Sequence, residues 1–303
     1  MTLGLKRGTV ALYPHETAWE TQAAHTVCIP KEILGDAAAD IQHVGSTSIR
    51  AIKAKPIVDI AVAAYDFADV LKKKDALLEK GFYLRPSTLG DSQLLFACGS
   101  YYTGEGDLQT HFIHVVQKDG MDWRNYLNFR DYMNAFPAAA KRYEALKERL
   151  VAENPVDPGR ERYIEGKHGF IQSILRRATV WSFLGENVHI EIDRPVGYVH
   201  KKETYALTYP LNYGYIPNVF GGDGEELDVY LPGEKKPLRE ADCRIIGAVH
   251  RKNDTEDKLI AAPEGTDFTK EEMENAVRFQ EQWYETAVIP AWEKERFDAL
   301  YES

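Results

Sequence analysis

The run from Tyr209 to Gly233, YPLNYGYIPNVFGGDGEELDVYLPG, sets three carboxylates, Asp223, Glu225 and Asp228, just behind Tyr209, Tyr213 and Tyr215. Asp223 and Glu225 are two residues apart, so on an extended loop their side chains point the same way, and a following turn can bring Asp228 back to join them. Unpaired, three such carboxylates repel one another. Around Mg2+, which demands hard oxygen ligands, the same grouping becomes favourable. The tyrosine hydroxyls can then donate to a phosphate oxygen carried by the metal. A solvated acidic turn accounts for Asp-Gly-Glu taken alone.

The flanking sequence is strand-like. Segments 187–193, 226–232, 243–250 and 257–262 alternate or run apolar between Gly, Pro and Asp turns, which predicts a small barrel or sandwich. Thr269 and Glu272 form a capping-box pattern ahead of a long terminal helix, expected to reach beyond Pro290 with a kink or break there. Upstream, ERYIEGKHGFIQSILRRA from Glu161 has helical spacing with Arg176 and Arg177 in its last turn, and WSFLGENVHIEIDRPVG then alternates. The boundary is therefore placed near 179, giving domains 1–178 and 179–303, which suits a chain of 303 residues.

The first domain mixes element types. A helix is expected over 16–35, a buried strand in KPIVDIAVAA (55–64), a lysine-rich helix over 66–80, strands near 92–98 and 109–117, and helices over 123–151 and 160–177. That order predicts a layered α/β or α+β domain.

Composition narrows the function classes. With 44% hydrophobic and 28% charged residues the chain is ordinarily globular. No apolar run approaches the roughly 18 residues of a membrane span, and MTLGLKRGTVALYPHE lacks an apolar signal region, so a cytoplasmic protein without a membrane partner is expected. Cys28, Cys98 and Cys243 are scattered, suggesting neither a disulfide framework nor a thiolate metal site. Residues 1–178 carry 23 Lys+Arg against 22 Asp+Glu, whereas 179–303 carry 14 against 25. Such an acidic second domain repels a polyphosphate backbone and argues against extended nucleic acid, but leaves small phosphorylated substrates open. Aromatic residues near the C-terminus, among them Phe279, Trp283, Tyr284 and Trp292, fit packing on their own domain, on the first domain or in a homo-oligomer.

In the first domain, IQHVGSTSIRAIKAKPIVDIAV (41–62) places a Gly-Ser-Thr-Ser turn before a strand carrying Asp59. Gly45 and Ser46 can offer backbone N–H and hydroxyl groups to a phosphate, Lys53 or Lys55 can add charge, and Asp59 can hold Mg2+ against the same phosphates. A helix cap and a solvated strand-end aspartate explain these residues too.

The run HVGSTS…AKPIVDI, with YPHETAW (13–19), THFIHVV (110–116), WRNYLNFRDYMNAFP (123–137) and YIEGKHGFI (163–171), resembles the GrpB family over about residues 10–178. The resemblance implies the fold of DNA polymerase β-like nucleotidyltransferases, in which a Gly-Ser pair is followed by an Asp-x-Asp/Glu that binds two metals. Gly45-Ser46 and Asp59 match, while the second acidic position holds Ala61. His111 and His114 are candidate substitutes, and Arg130 and Lys167 are the implied phosphate partners. Nucleotide binding is thus better supported than nucleotidyl transfer.

The Tyr209–Gly233 run resembles the active-site signature of soluble family I inorganic pyrophosphatases. The resemblance implies that Tyr209 and Tyr213 face phosphate, that Asp223, Glu225 and Asp228 are Mg2+ ligands, and that Lys258 in DKLIAAP and Glu191 in HIEID complete the pattern. Departures are Glu225 in place of Asp, Arg251 and Glu256 where two further acidic ligands are expected (with Asp254 and Asp257 nearby), and a phosphate clamp thinned to Arg194, Lys201 and Lys202. In the implied hydrolysis Asp228 anchors metals flanking a water, with Tyr213 and Lys258 stabilising the leaving phosphate. The expected function is a nucleotidyltransferase-like domain joined to a Mg2+-dependent pyrophosphate or phosphoanhydride hydrolase, acting on pyrophosphate or an NTP. A catalytically decayed binding module and a hydrolase of another small diphosphate are the alternatives.

Overall fold

The computed structural model describes residues 3–86, 92–154, 157, 160–201 and 206–303. Lys202, one of the clamp candidates, lies outside them. The chain forms two compact units, residues 1–175 and 176–303. The division falls within one helix, Glu161–Phe183, which continues past the strand onset expected near 179.

The first unit is a five-stranded mixed sheet with helices. In chain order its strands are β1 (Ala38–Val44), β2 (Val58–Ala64), β3 (Tyr83–Arg85), β4 (Gln93–Cys98) and β5 (His111–Gln117), in the sheet order β1-β2-β5-β4-β3. Strand β2 reads VDIAVAA, and every residue but Asp59 is buried, as a central strand covered on both faces requires. It runs parallel to β5, with Asp59 opposite Phe112 and Ala61 opposite His114, and antiparallel to β1. Ile60, Val62, Phe96, Ile113 and Val115 form the core with Leu34, Val70 and Leu77 from the helices.

Two expected helices are each divided. The lysine-rich one becomes Phe67–Leu71, capped by Asp66 accepting from the Ala68 N–H at 2.8 Å, and Lys74–Glu79. The one over 123–151 becomes Met121–Ala135 and Pro137–Glu153, because Pro137 cannot donate within a continuing helix but is well placed to start one.

The second unit is a closed five-stranded barrel. Its strands are β6 (Asn187–Arg194), β7 (Asn212–Phe220), β8 (Glu226–Leu231), β9 (Glu240–Arg251) and β10 (Lys258–Ala262). They run in the order β10-β8-β7-β6-β9, and β9 pairing with β10 closes the ring. Gly214 sits where β7 meets β6 at a register shift, and a Cβ there would lie 1.8 Å from the Glu191 carbonyl oxygen. Only glycine allows that approach, which seats the neighbouring Tyr213 inside the barrel.

The terminal segment differs from expectation. Thr269 and Glu272 do form a full capping box, but the helix they start, Lys270–Glu281, stops well short of Pro290. TAVIP (286–290) is instead a sixth strand, antiparallel to β9, and a short helix, Phe297–Glu302, ends the chain. The β-branched residues Thr286, Val288 and Ile289 suit an extended edge, and β9 has a side free to pair with them. The architecture is therefore an α/β domain followed by a small closed barrel with a terminal helix.

Candidate functional site

The barrel holds a cavity of about 600 Å³ that gathers residues far apart in sequence. Tyr209, Tyr213 and Arg194 come from the β6–β7 side, Asp228 from β8, and Glu256 and Lys258 from the start of β10. Lys258 is 1% exposed. Its ammonium donates to Tyr213 Oη at 2.5 Å and to the Asp228 and Glu256 carboxylates, while Tyr213 Oη donates to Asp228 Oδ2. Arg194 donates to Tyr209 Oη at 2.7 Å and lies over the rings of Tyr209 and Tyr213. Burial drives the Asp228 carboxyl up to about 6, against the pull of Lys258 and with a contribution from the hydrogen bond to Glu256. Burial opposes ionisation of Glu256, yet its link to Asp228 and the charges of Lys258 and Arg251 hold it at about 2.

Arg251 lies beside this network and is 0% exposed. Its guanidinium donates to both carboxylate oxygens of Glu281, at 2.9 and 2.8 Å, and to Glu256. Its face lies 3.7 Å from the ring centroid of Tyr284. Sequence reasoning marked Arg251 only as a departure, without a role. An arginine five residues before Glu256 gives no signal for a partner, Glu281, thirty positions away.

The acidic residues do not come together as expected. Asp223 and Glu225 are exposed on the β7–β8 turn, where Asp223 accepts the Glu225 N–H at 3.1 Å, and neither lines the cavity. Glu191 is exposed and accepts from Tyr215 at 2.8 Å. Asp257 is buried beneath Arg176, His250 and Tyr301, all within hydrogen-bonding distance, so it is committed to structure. Among the described residues no group of three or more His, Cys, Asp or Glu side chains is disposed to hold a metal ion. The physical reason is that Lys258 and Arg251 already neutralise Asp228 and Glu256. The cavity residues therefore do not fit a resident metal cage.

The first unit has its own cavity, about 410 Å³, lined by Gly45, Ser46, Lys55, Asp59, His114 and Lys167, with Tyr126, Tyr143 and Tyr163 as walls. His114 Nε2 stands 3.4 Å from Asp59 Oδ1, and the other ring nitrogen, Nδ1, is buried without a partner. Burial lowers the Lys55 ammonium to about 7, assisted by repulsion from Lys167. Both lysines lie over the Tyr163 ring, at 5.2 and 4.5 Å. Arg130 does not line this cavity: its guanidinium braces β1 through Gln42 Oε1 and the His43 carbonyl, and pairs with Asp131. His111 is set apart from it as well, bonded to Thr110.

Fold and cavities together define a two-domain protein in which an α/β unit precedes a small barrel, each with a cation-bearing pocket. The family model for GrpB protein matches residues 9–177, and the chain belongs to that family. It is 36% identical to the glutamate-rich protein GrpB of Alkalihalophilus pseudofirmus over 57% of this chain and 98% of that one. The crystal structure of conserved protein GrpB from Enterococcus faecalis matches at a TM-score of 0.50 and 25% identity, covering 55% of this chain and 96% of that chain. Residues 183–293 match the inorganic pyrophosphatase family model. There the chain is 36% identical to inorganic pyrophosphatase of Xylella fastidiosa over 26% of its own length, spanning 47% of that relative. A GrpB domain is thus followed by a segment similar to inorganic pyrophosphatases.

Proposed function

We propose that the barrel domain binds and hydrolyses a small diphosphate. The observation that carries this reading is the convergence of Arg194, Lys258, Tyr209 and Tyr213 with Asp228 on one cavity. Arg194 and Lys258 supply positive charge for the phosphate oxygens, and the Tyr209 hydroxyl, which accepts from Arg194, keeps its own proton to donate. Asp228, with a carboxyl near 6, is poised to accept a proton from water at neutral pH. In that step the water oxygen bonds to one phosphorus and the bridging P–O bond breaks. The bridging oxygen leaves with the second phosphate, and the water proton passes to Asp228. Resemblance to family I pyrophosphatases implies a divalent cation. Mg2+ is therefore assigned to the substrate, a Mg2+–diphosphate complex.

Phosphate release from pyrophosphate and from each NTP, with and without Mg2+, tests the reading on the whole chain. Mg2+-dependent release that disappears in Asp228→Asn supports it, and release indifferent to that substitution rejects it.

A second reading concerns the GrpB domain: the geometry favours nucleotide or phosphate binding over nucleotidyl transfer. Lys55, Lys167 and Ser46 share a cavity with Asp59, but the residue across from His114 is Ala61, so one carboxylate stands where a two-metal centre needs two. Tight NTP binding by calorimetry without turnover supports this role, and incorporation of a nucleotide into any acceptor overturns it.

A further inference from the structure

The barrel cavity is lined by more than charged and tyrosine side chains. A volume of about 600 Å³ falls in the range that takes a drug-sized organic ligand. Besides Arg194 and Lys258 it is lined by Ala206, Leu207, Trp283 and Tyr284. Trp283 is 63% exposed, and no hydrogen bond or ring contact to other described residues engages its indole. A large aromatic side chain that lines a charged pocket with its indole uncommitted offers a flat face on which a ligand ring can stack. The platform beside it is fixed: Tyr284 is stacked on the Arg251 guanidinium, itself held by both oxygens of Glu281 at the end of the helix leading to Trp283. Inorganic pyrophosphate has no face to offer these rings.

We infer that the barrel's substrate is a nucleoside diphosphate or an ester of one, its phosphates at Arg194 and Lys258 and its base against Trp283 and Tyr284. The inference rests on the diphosphate reading of the charged end. Stacking on an aromatic platform accepts any base, so the site selects for the presence of a base more than for its identity. The phosphate end fixes register and the aromatic end supplies the preference for an organic over an inorganic diphosphate.

Titration calorimetry of the full chain with α,β-methylene-ADP and with methylenediphosphonate tests this. Both sets of measurements are made in a Lys55→Gln, Lys167→Gln background, which silences the other pocket. The nucleotide analogue is expected to bind more tightly than the inorganic one. Trp283→Ala should weaken the nucleotide about tenfold or more while leaving methylenediphosphonate unchanged, and Trp283→Phe should recover most of the loss. Equal affinity for the two ligands, or a Trp283→Ala effect absent or the same for both, overturns the inference while the diphosphate reading stands. Binding of neither ligand overturns both.

Discussion

Gly45 stands so close to Asp59 that a Cβ added to it would lie 2.5 Å from an Asp59 carboxylate oxygen and 2.8 Å from the Asp59 Cβ. The glycine also adopts φ 70°, in the left-handed region. Gly45→Ala is therefore expected to destabilise the first unit by about 1–3 kcal/mol from backbone strain alone, with more from the contact. Urea unfolding reads this directly, and a midpoint equal to wild type would show that the turn is free to move.

Asp228→Asn should lower kcat for diphosphate hydrolysis by about 10²–10⁴-fold if the carboxylate takes the proton from water. In the wild type the rate should rise as pH increases through about 6, because the ionised carboxylate is the active base. A pH profile of kcat settles it, since a rise through 6 that persists in the variant would assign the titration to another group.

Lys55 gives a pH dependence of the opposite sense. Its ammonium, lowered to about 7 by burial, is charged below that pH and neutral above it. Affinity of the first cavity for a triphosphate should fall as pH rises through 7, and Lys55→Gln should bind weakly with a flatter profile. Calorimetry at pH 6 and pH 8 on both proteins makes the comparison, and identical slopes would exclude Lys55 from the site.

Removing Arg251 strands the buried Glu281 carboxylate. Arg251→Met should destabilise the barrel by about 3–5 kcal/mol, because buried Glu281 loses the cation that offsets its burial, while half-buried Glu256 keeps Lys258. Adding Glu281→Gln should restore part of the loss by removing one stranded charge. Chemical unfolding of the single and double variants is the measurement, and a double variant no more stable than Arg251→Met would count against the charge argument.

The architecture was legible where local rules dominate. β2 announces itself as an apolar run interrupted only by Asp59, and the Thr269 capping box marks a helix start that occurs as read. The strand Thr286–Pro290 was not legible, because its pairing with β9 is a long-range choice that overrides the helical reading. The candidate sites divide the same way. Tyr209, Tyr213, Asp228 and Lys258 share one cavity, a grouping that only the family resemblance implied, whereas Asp223, Glu225 and Arg130 stand elsewhere. What the linear pattern lacks is the competition for each carboxylate: Asp228 and Glu256 are claimed by Lys258 and Arg251, and no spacing rule records that.

Arg251 draws its partners from the strand end, the loop after it and the helix thirty residues on. One consequence is that Tyr284, which lines the cavity, leans on an ion pair outside it: a chain that has not yet delivered Glu281 leaves the guanidinium to Glu256 and Asp254 alone. Any redesign of ligand preference through Tyr284 would accordingly be felt first as a change in folding. Trp283, which carries no such duty, is the place where chemistry could drift without that toll.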